Sequence, residues 1–143
     1  MDIRAEDYEK TILAFDYGDI RIGLAIKPAE QASAEPLITL KNDASLWSAI
    51  DDLLALHQPD LVVVGRPRNL EGESTTQTIK AEQFAVKLAG SYNNKVELQD
   101  EALTTEHAQE RIPKNLSPKS RRGVIDQYAA CIILEHYLQE TQK

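Results

Sequence analysis

The sequence has one cysteine, Cys131. A lone thiol excludes an internal disulfide and a cysteine-built zinc site, and its place in an apolar run makes it a small core residue. Nowhere does an apolar run approach the roughly 20 residues that a membrane helix needs. The opening MDIRAEDYEK lacks the apolar stretch of a secretory signal, so a cytoplasmic protein with no membrane partner is expected. The chain has no G-x-x-x-x-G-K-[ST], no G-x-G-x-x-G and no G-x-S-x-G, which removes the common phosphate-binding loops and the serine-hydrolase elbow. His57, His107 and His136 are scattered, without metal-ligand spacing, and are expected at or near the surface. Positive charge is scarce too: 16 Lys and Arg stand against 23 Asp and Glu, a net charge of −7. That balance argues against a polyanionic ligand unless the basic groups are concentrated.

They are concentrated. Lys114, Lys119, Arg121 and Arg122 fall in one short segment, and Arg66 and Arg68 form a second group. With 143 residues, 42% of them hydrophobic, the chain fits one globular domain over 11–143 after a loose leader at 1–10. Strands are expected at Thr11–Asp16, Arg21–Ile26, Pro36–Lys41, Leu61–Val64 and Lys95–Asp100. Helices are expected at about 45–58, stopped by Pro59, and at about 76–88, ended by Gly90. In the second, Ile79, Phe84, Ala85 and Leu88 form the apolar stripe. A short helix capped by Thr104 or Thr105 is broken by Pro113, and Ser117-Pro118 opens a long final one. The order is three strands with short links, then alternating helix and strand. It predicts an α/β fold, a five-stranded mixed sheet flanked by helices, antiparallel first and parallel later.

Acidic residues sit where apolar ones belong. Asp16 follows Ile12 and Ala14 on one strand face, at the carboxyl edge where such sheets place ligands. Asp126 shares a helix face with Ala129, Ala130, Ile133 and Tyr137. Asp100 and Glu101 end the fifth strand on opposite faces, and alternation alone does not choose between them. Carboxylates gathered from separate elements repel one another unless a cation joins them, and oxygen donors select Mg²⁺ or Mn²⁺. Two such ions clamp a phosphodiester. Thr104, Thr105 and backbone N–H groups at that helix start are candidates to hold a phosphate.

The sequence carries LAFDYGDIRIGLAI, then VVVGRPRNLEG with Gly65, Pro67, Asn69 and Gly72, then DEALTT, then VIDQYAACIILEHYL. In this order and spacing the chain resembles the YqgF/RuvX family of pre-16S rRNA nucleases, also described as Holliday-junction resolvases, over about residues 11–139. The resemblance implies an RNase H-like fold and an Mg²⁺-binding catalytic trio at Asp16, Glu101 and Asp126, thereby choosing Glu101 over Asp100. It implies maturation of the 5′ end of 16S rRNA in ribosome biogenesis, with precursor rRNA as partner and a ribosomal partner as a further expectation. Candidate nucleic-acid contacts are Arg66, Arg68, Asn69, Thr104, Thr105, Lys119, Arg121 and Arg122. The chain departs from the family pattern at Ala102, where arginine is usual, at Ile20, where a basic residue is usual, and at Lys27-Pro28, in place of Ser-Asp. Arg66 and Arg68 stand where apolar residues are common. Competing readings are a resolvase acting on branched DNA and a binding module with a decayed site. An actin-like ATPase needs two copies of this core, and the chain holds one.

Overall fold

The structure, a computed structural model, describes residues 3–92, 95–102 and 104–140, with the backbone alone at 104–107. Short helix α1 (Ala5–Tyr8) precedes β1 (Ile12–Asp16), β2 (Arg21–Lys27) and β3 (Glu35–Lys41). Then come α2 (Leu46–His57), β4 (Leu61–Pro67), α3 (Thr76–Ser91), β5 (Lys95–Glu101), α4 (Thr104–Arg111) and α5 (Pro118–Glu140). The strands lie in the order β3-β2-β1-β4-β5. β1 pairs antiparallel with β2, and β2 with β3, as short connections require. β4 and β5 return through helices and run parallel to β1 and to each other. The expected mixed sheet is the one observed.

Every residue of Ile12–Phe15 and of Leu61–Gly65 is buried, because helices cover both faces of the sheet's centre. Side chains alternate between those faces. Leu13, Phe15, Val62 and Val64 pack with α2 and α3 through Ile50, Leu54, Phe84 and Leu88. Ile12, Ala14, Leu61 and Val63 pack with α5 through Ile133, Leu134, Tyr137 and Leu138. Each fully buried aliphatic side chain of this kind contributes about 1.5–3 kcal/mol. The Ser117 hydroxyl accepts from the Ser120 N–H at 3.2 Å, so the expected cap opens α5. Cys131 is buried beside Ala25 and Ala130, a small core residue as its context indicates.

Three expectations need correction. Residues 3–10 are not loose: α1 forms there and Asp7 is fully buried. The buried Lys27 ammonium donates to the carbonyls of Tyr8 (3.1 Å), Pro28 (2.9 Å) and Gln31 (2.9 Å), tying this segment to the sheet. Ile79 is 52% exposed, and Thr78 and Ala81 take the inward positions. The stripe is rotated because the Thr78 hydroxyl bonds to the Pro67 carbonyl and to the Thr75 N–H, a capping box that turns α3. Finally, α3 runs through Gly90 to Ser91. Gly90 does not take the left-handed conformation by which a glycine stops a helix.

Candidate active site

Asp16 ends β1 on the face that carries Ile12 and Ala14, toward α5. Its partner across the antiparallel ladder is Gly23. A Cβ on Gly23 would overlap the backbone carbonyl and the Cβ of Asp126. The missing side chain therefore lets α5 lie directly on the strand, and this close approach brings Asp126 to the same rim as Asp16. Gly65 on β4 does the same for Ile133, whose Cδ1 occupies the space a Cβ would take. Ala25, Ala130 and Cys131 keep the rest of the contact small.

Glu101 closes β5 and faces the same side as Asp16, only 7% exposed. Its two oxygens lie 2.8 and 3.0 Å from Nδ1 of His136 on α5. Asp126 Oδ2 accepts from Arg21 Nε at 2.7 Å, and Arg21 sits one alternation before Gly23 on β2. The neighbouring carboxylate, Asp100, points to the other face. Arg66 Nε reaches it at 2.6 Å and Arg68 Nε at 3.2 Å. Strand alternation thus separates the two acidic residues that the sequence left open: Glu101 joins Asp16 on the α5 side and Asp100 is absorbed by arginines.

The electrostatics follow this division. Burial, then the charges of Asp126 and Glu101, push the Asp16 carboxyl up to about 7. Burial raises Asp126 as well, against the opposing pull of the Arg21 guanidinium. Asp100 is held below its usual range, first by the hydrogen bond from Arg66 and then by Arg68. The three carboxylates on the α5 side are close enough to feel one another. As placed, no three acidic, histidine or cysteine side chains among the described residues form a ligand set for one ion. Arg21 holds Asp126 and His136 holds Glu101.

The loop after β4 borders Glu101. The Arg68 N–H donates to the Glu101 carbonyl at 2.9 Å. Asn69 organises the turn: its Oδ1 accepts from the N–H groups of Glu71 (3.1 Å) and Glu73 (2.8 Å). Gly72 takes the left-handed conformation there, φ +80°, which a residue with a Cβ rarely adopts. A cavity of about 430 Å³ opens between this loop and the strand end, lined by Arg68, Asn69, Leu70, Asp100, Glu101 and Ala102. Arg66 lies on the far face, bonded to Asp100 and to Glu82 at 3.3 Å. Lys119, Arg121 and Arg122 occupy the first turns of α5. Arg121 donates to the Pro113 carbonyl at 3.4 Å, and Arg121 and Arg122 border a cavity of about 370 Å³ against α4. The side chains of Thr104 and Thr105 lie outside the described residues.

Two site residues escaped the sequence reading. Arg21 stands in a strand whose alternation could have placed it beside Gly23, but nothing in the sequence pairs it with an aspartate 105 positions away. His136 is ten residues past Asp126, off the stripe of three- and four-residue steps that identified the helix face. Only the packing of α5 across β5 brings it to Glu101.

Comparison with known proteins gives the family and the fold. The family model described as RuvX, Holliday junction resolvase, matches residues 10–140. A protein of Shewanella denitrificans named "Putative pre-16S rRNA nuclease" is 39% identical over 133 residues, 91% of this chain and 94% of that one. One of the same name from Glaesserella parasuis is 38% identical over 134 residues, 92% of this chain and 97% of that one. Among solved structures, fowlpox virus resolvase with Holliday junction DNA superposes with a TM-score of 0.51 at 11% identity, covering 93% of this chain and 99% of that one. Thermus thermophilus RuvC in complex with a Holliday junction gives 0.49 at 14% identity, covering 91% and 96%. At such identity the viral resolvase speaks for the fold alone, which is RNase H-like. The match spans the strand that bears Asp16, the strand that bears Glu101 and the helix that bears Asp126, and on that extent the chain belongs to the RuvX family.

Proposed function

We propose that this chain is a divalent-metal-dependent endonuclease of the cytoplasm, hydrolysing phosphodiester bonds of precursor 16S rRNA near its 5′ end, with Asp16, Glu101 and Asp126 as its metal-holding and catalytic residues. The observation that carries the proposal is the gathering of these three carboxylates on one rim, where burial first, and then the charges of Asp126 and Glu101, push the Asp16 carboxyl up to about 7. Acidic groups gathered from separate elements and partly desolvated are expected where a cation is meant to sit. The donor set fits Mg²⁺ or Mn²⁺: it is all carboxylate oxygen and comes from three rigid elements.

Asp16, Glu101 and Asp126 would hold the ion, which supplies positive charge to the scissile phosphate and lowers the pKa of an attacking water. Arg21 and His136 are the local partners of two of these carboxylates. Each keeps its acid aimed at the rim, and each must yield part of its hold when the acids converge. The cavity beside Glu101 leaves room for the substrate strand next to the acids. Arg68 at its border, with Arg121 and Arg122 on α5, supplies cations for the backbone phosphates. A junction resolvase is the second reading, favoured by the description of the family model.

The deciding experiment offers purified protein and Mg²⁺ two substrates, a precursor 16S rRNA 5′ fragment and a four-way DNA junction, each with and without EDTA. Cleavage of the RNA, abolished by EDTA, is expected. Cleavage of the junction alone would transfer the assignment to the resolvase, and cleavage indifferent to EDTA would remove the metal mechanism.

A further inference from the structure

The carboxyl edge of β1 has a second side. Asp16 faces α5, and the next residue, Tyr17, faces α2 and α3 by strand alternation. There a cavity of about 430 Å³ is lined by Tyr17, Trp47, Phe84, Asn42, Lys80 and Lys87. Its wall is aromatic. Tyr17 and Trp47 lean on the buried Phe84 with ring centroids at 5.0 and 5.5 Å. Its rim is cationic. Lys87 is exposed, with Nζ 4.6 Å from the Trp47 ring centroid, and Lys80 stands seven residues earlier on the same face of α3.

The rim is also held in place. The Asn42 amide donates to the Gly18 carbonyl at 2.8 Å, and Asp19 accepts from Lys80 (3.0 Å) and Gln77 (2.9 Å). The turn after Asp16 is therefore pinned to the link before α2 and to α3. In a chain of net charge −7 the pocket gathers two lysines against one lining carboxylate, Asp19, which Lys80 pairs and Lys87 does not, and it lies one residue from the proposed catalytic acid.

A hollow with aromatic walls and ammonium groups at its mouth matches one unpaired nucleotide, base on rings and phosphate on lysines. A base inside a duplex cannot offer its face in this way. We propose that this pocket is a subsite for an unpaired nucleotide flanking the scissile phosphate, stacked on Tyr17 and Trp47 and steadied by Lys80 and Lys87. The inference rests on the nuclease reading and narrows its substrate to strands with unpaired bases beside the cut.

Trp47 is the single tryptophan of the chain, so its emission reports on this pocket alone. Wild-type protein in Ca²⁺ is titrated with a fluorescein-labelled single-stranded hexaribonucleotide and, separately, a blunt 12-base-pair RNA duplex. Anisotropy reports binding and Trp47 emission reports stacking. The single strand is expected to quench Trp47 saturably, with the midpoint seen by anisotropy, and the duplex to leave it unchanged. Trp47→Ala should weaken single-strand binding at least fivefold, as loss of one stacked base does. Trp47→Phe should restore most of it. Because Trp47 also touches the core, Lys87→Glu serves as a second variant at an exposed position outside the core, and it too should weaken binding. Single-strand binding with silent Trp47 emission would overturn the subsite, as would equal quenching by the duplex or no single-strand binding at all. Cleavage of precursor rRNA in Mg²⁺, measured on the same preparation, judges the nuclease reading separately.

Discussion

The two faces of the sheet treat acidic side chains in opposite ways. On the α2/α3 face, Asp100 is neutralised by Arg66 and Arg68, and Asp19 by Lys80, and both carboxyls are held below their usual range. On the α5 face, Asp126 is bonded to Arg21 and Glu101 to His136, and burial with the charges of these two acids pushes Asp16 up to about 7. Acids with their own cations are part of the scaffold. Acids gathered on one rim in spite of burial and like charge are what the proposed metal-holding role requires.

The contrast breaks most sharply by substitution on each side. Asp16→Asn, Glu101→Gln and Asp126→Asn should each lower cleavage of precursor rRNA by more than about 100-fold, beyond the roughly 10–100-fold typical of outer-shell partners. The melting temperature of Asp16→Asn should hold or rise in EDTA, because the change relieves repulsion, whereas Asp126→Asn and Glu101→Gln also weaken the bonds to Arg21 and His136 and should gain less. Asp100→Asn, one residue from Glu101, should leave cleavage within about threefold, since it removes only partly exposed pairs on the other face. Cleavage rates and melting curves measured on the same samples check this, and equal losses at 100 and 101 would erase the distinction between the faces.

A second, intermediate effect concerns how the α5 face is assembled. Gly23→Ala places a methyl group against the Asp126 backbone and must lift α5 off the strand. Overpacking of this kind costs about 1–3 kcal/mol, and displacement of Asp126 from Asp16 should reduce cleavage further. Gly90→Ala is the control. Nothing lies within 4 Å of its would-be Cβ, so a gain of about 0.5–1 kcal/mol from helix propensity is expected. Urea unfolding of the two variants decides it.

The smallest effect is in the pH dependence of the metal-free protein. Asp16 is neutral in the fold up to about pH 7, whereas in the unfolded chain it ionises near 3.8. The folded state therefore holds a proton that the unfolded state releases, and Asp16 lowers stability as pH rises from about 4 to 7, with no further change above. Burial drives the shift first and the charges of Asp126 and Glu101 add to it; Arg21 and His136 are the groups bonded to those two acids. Asp100 acts with the opposite sign: its depressed value contributes stability above about pH 4 that is lost on acidification. Melting temperature against pH in EDTA should fall between 4 and 7 for the wild type, flatten in Asp16→Asn and stay sloped in Asp100→Asn. A flat wild-type profile would mean that Asp16 carries no such burden.

Much of this molecule was legible as pattern. The buried runs 12–15 and 61–64, the proline at 59 and the Ser117-Pro118 start placed the strands and helices within a few residues. Short links and helical crossovers gave the sense of each strand. Asp16 and Asp126 were visible because each breaks an apolar stripe, and a stripe is a local property with a period set by the backbone. Ile79 shows where that reasoning fails. Its spacing suited the stripe, but the Thr78 hydroxyl found the Pro67 carbonyl and rotated α3, a contact between elements that period alone cannot register.

What the sequence by itself determined was the set of elements, their faces and two of the three acids, because periodicity, caps and turn chemistry act over a few residues. The tertiary structure decided the rest. It turned Asp100 toward Arg66 and Arg68 and Glu101 toward Asp16, an assignment that alternation left symmetric until the sheet acquired a different layer on each side. It brought Arg21 to Asp126 across 105 residues and His136 to Glu101 across 35. It also gave Gly23 its meaning, since the worth of a missing Cβ depends on what packs against it, here the backbone of the helix that carries Asp126. Charge coupling falls with distance in space, and the fold alone converts positions in a chain into such distances.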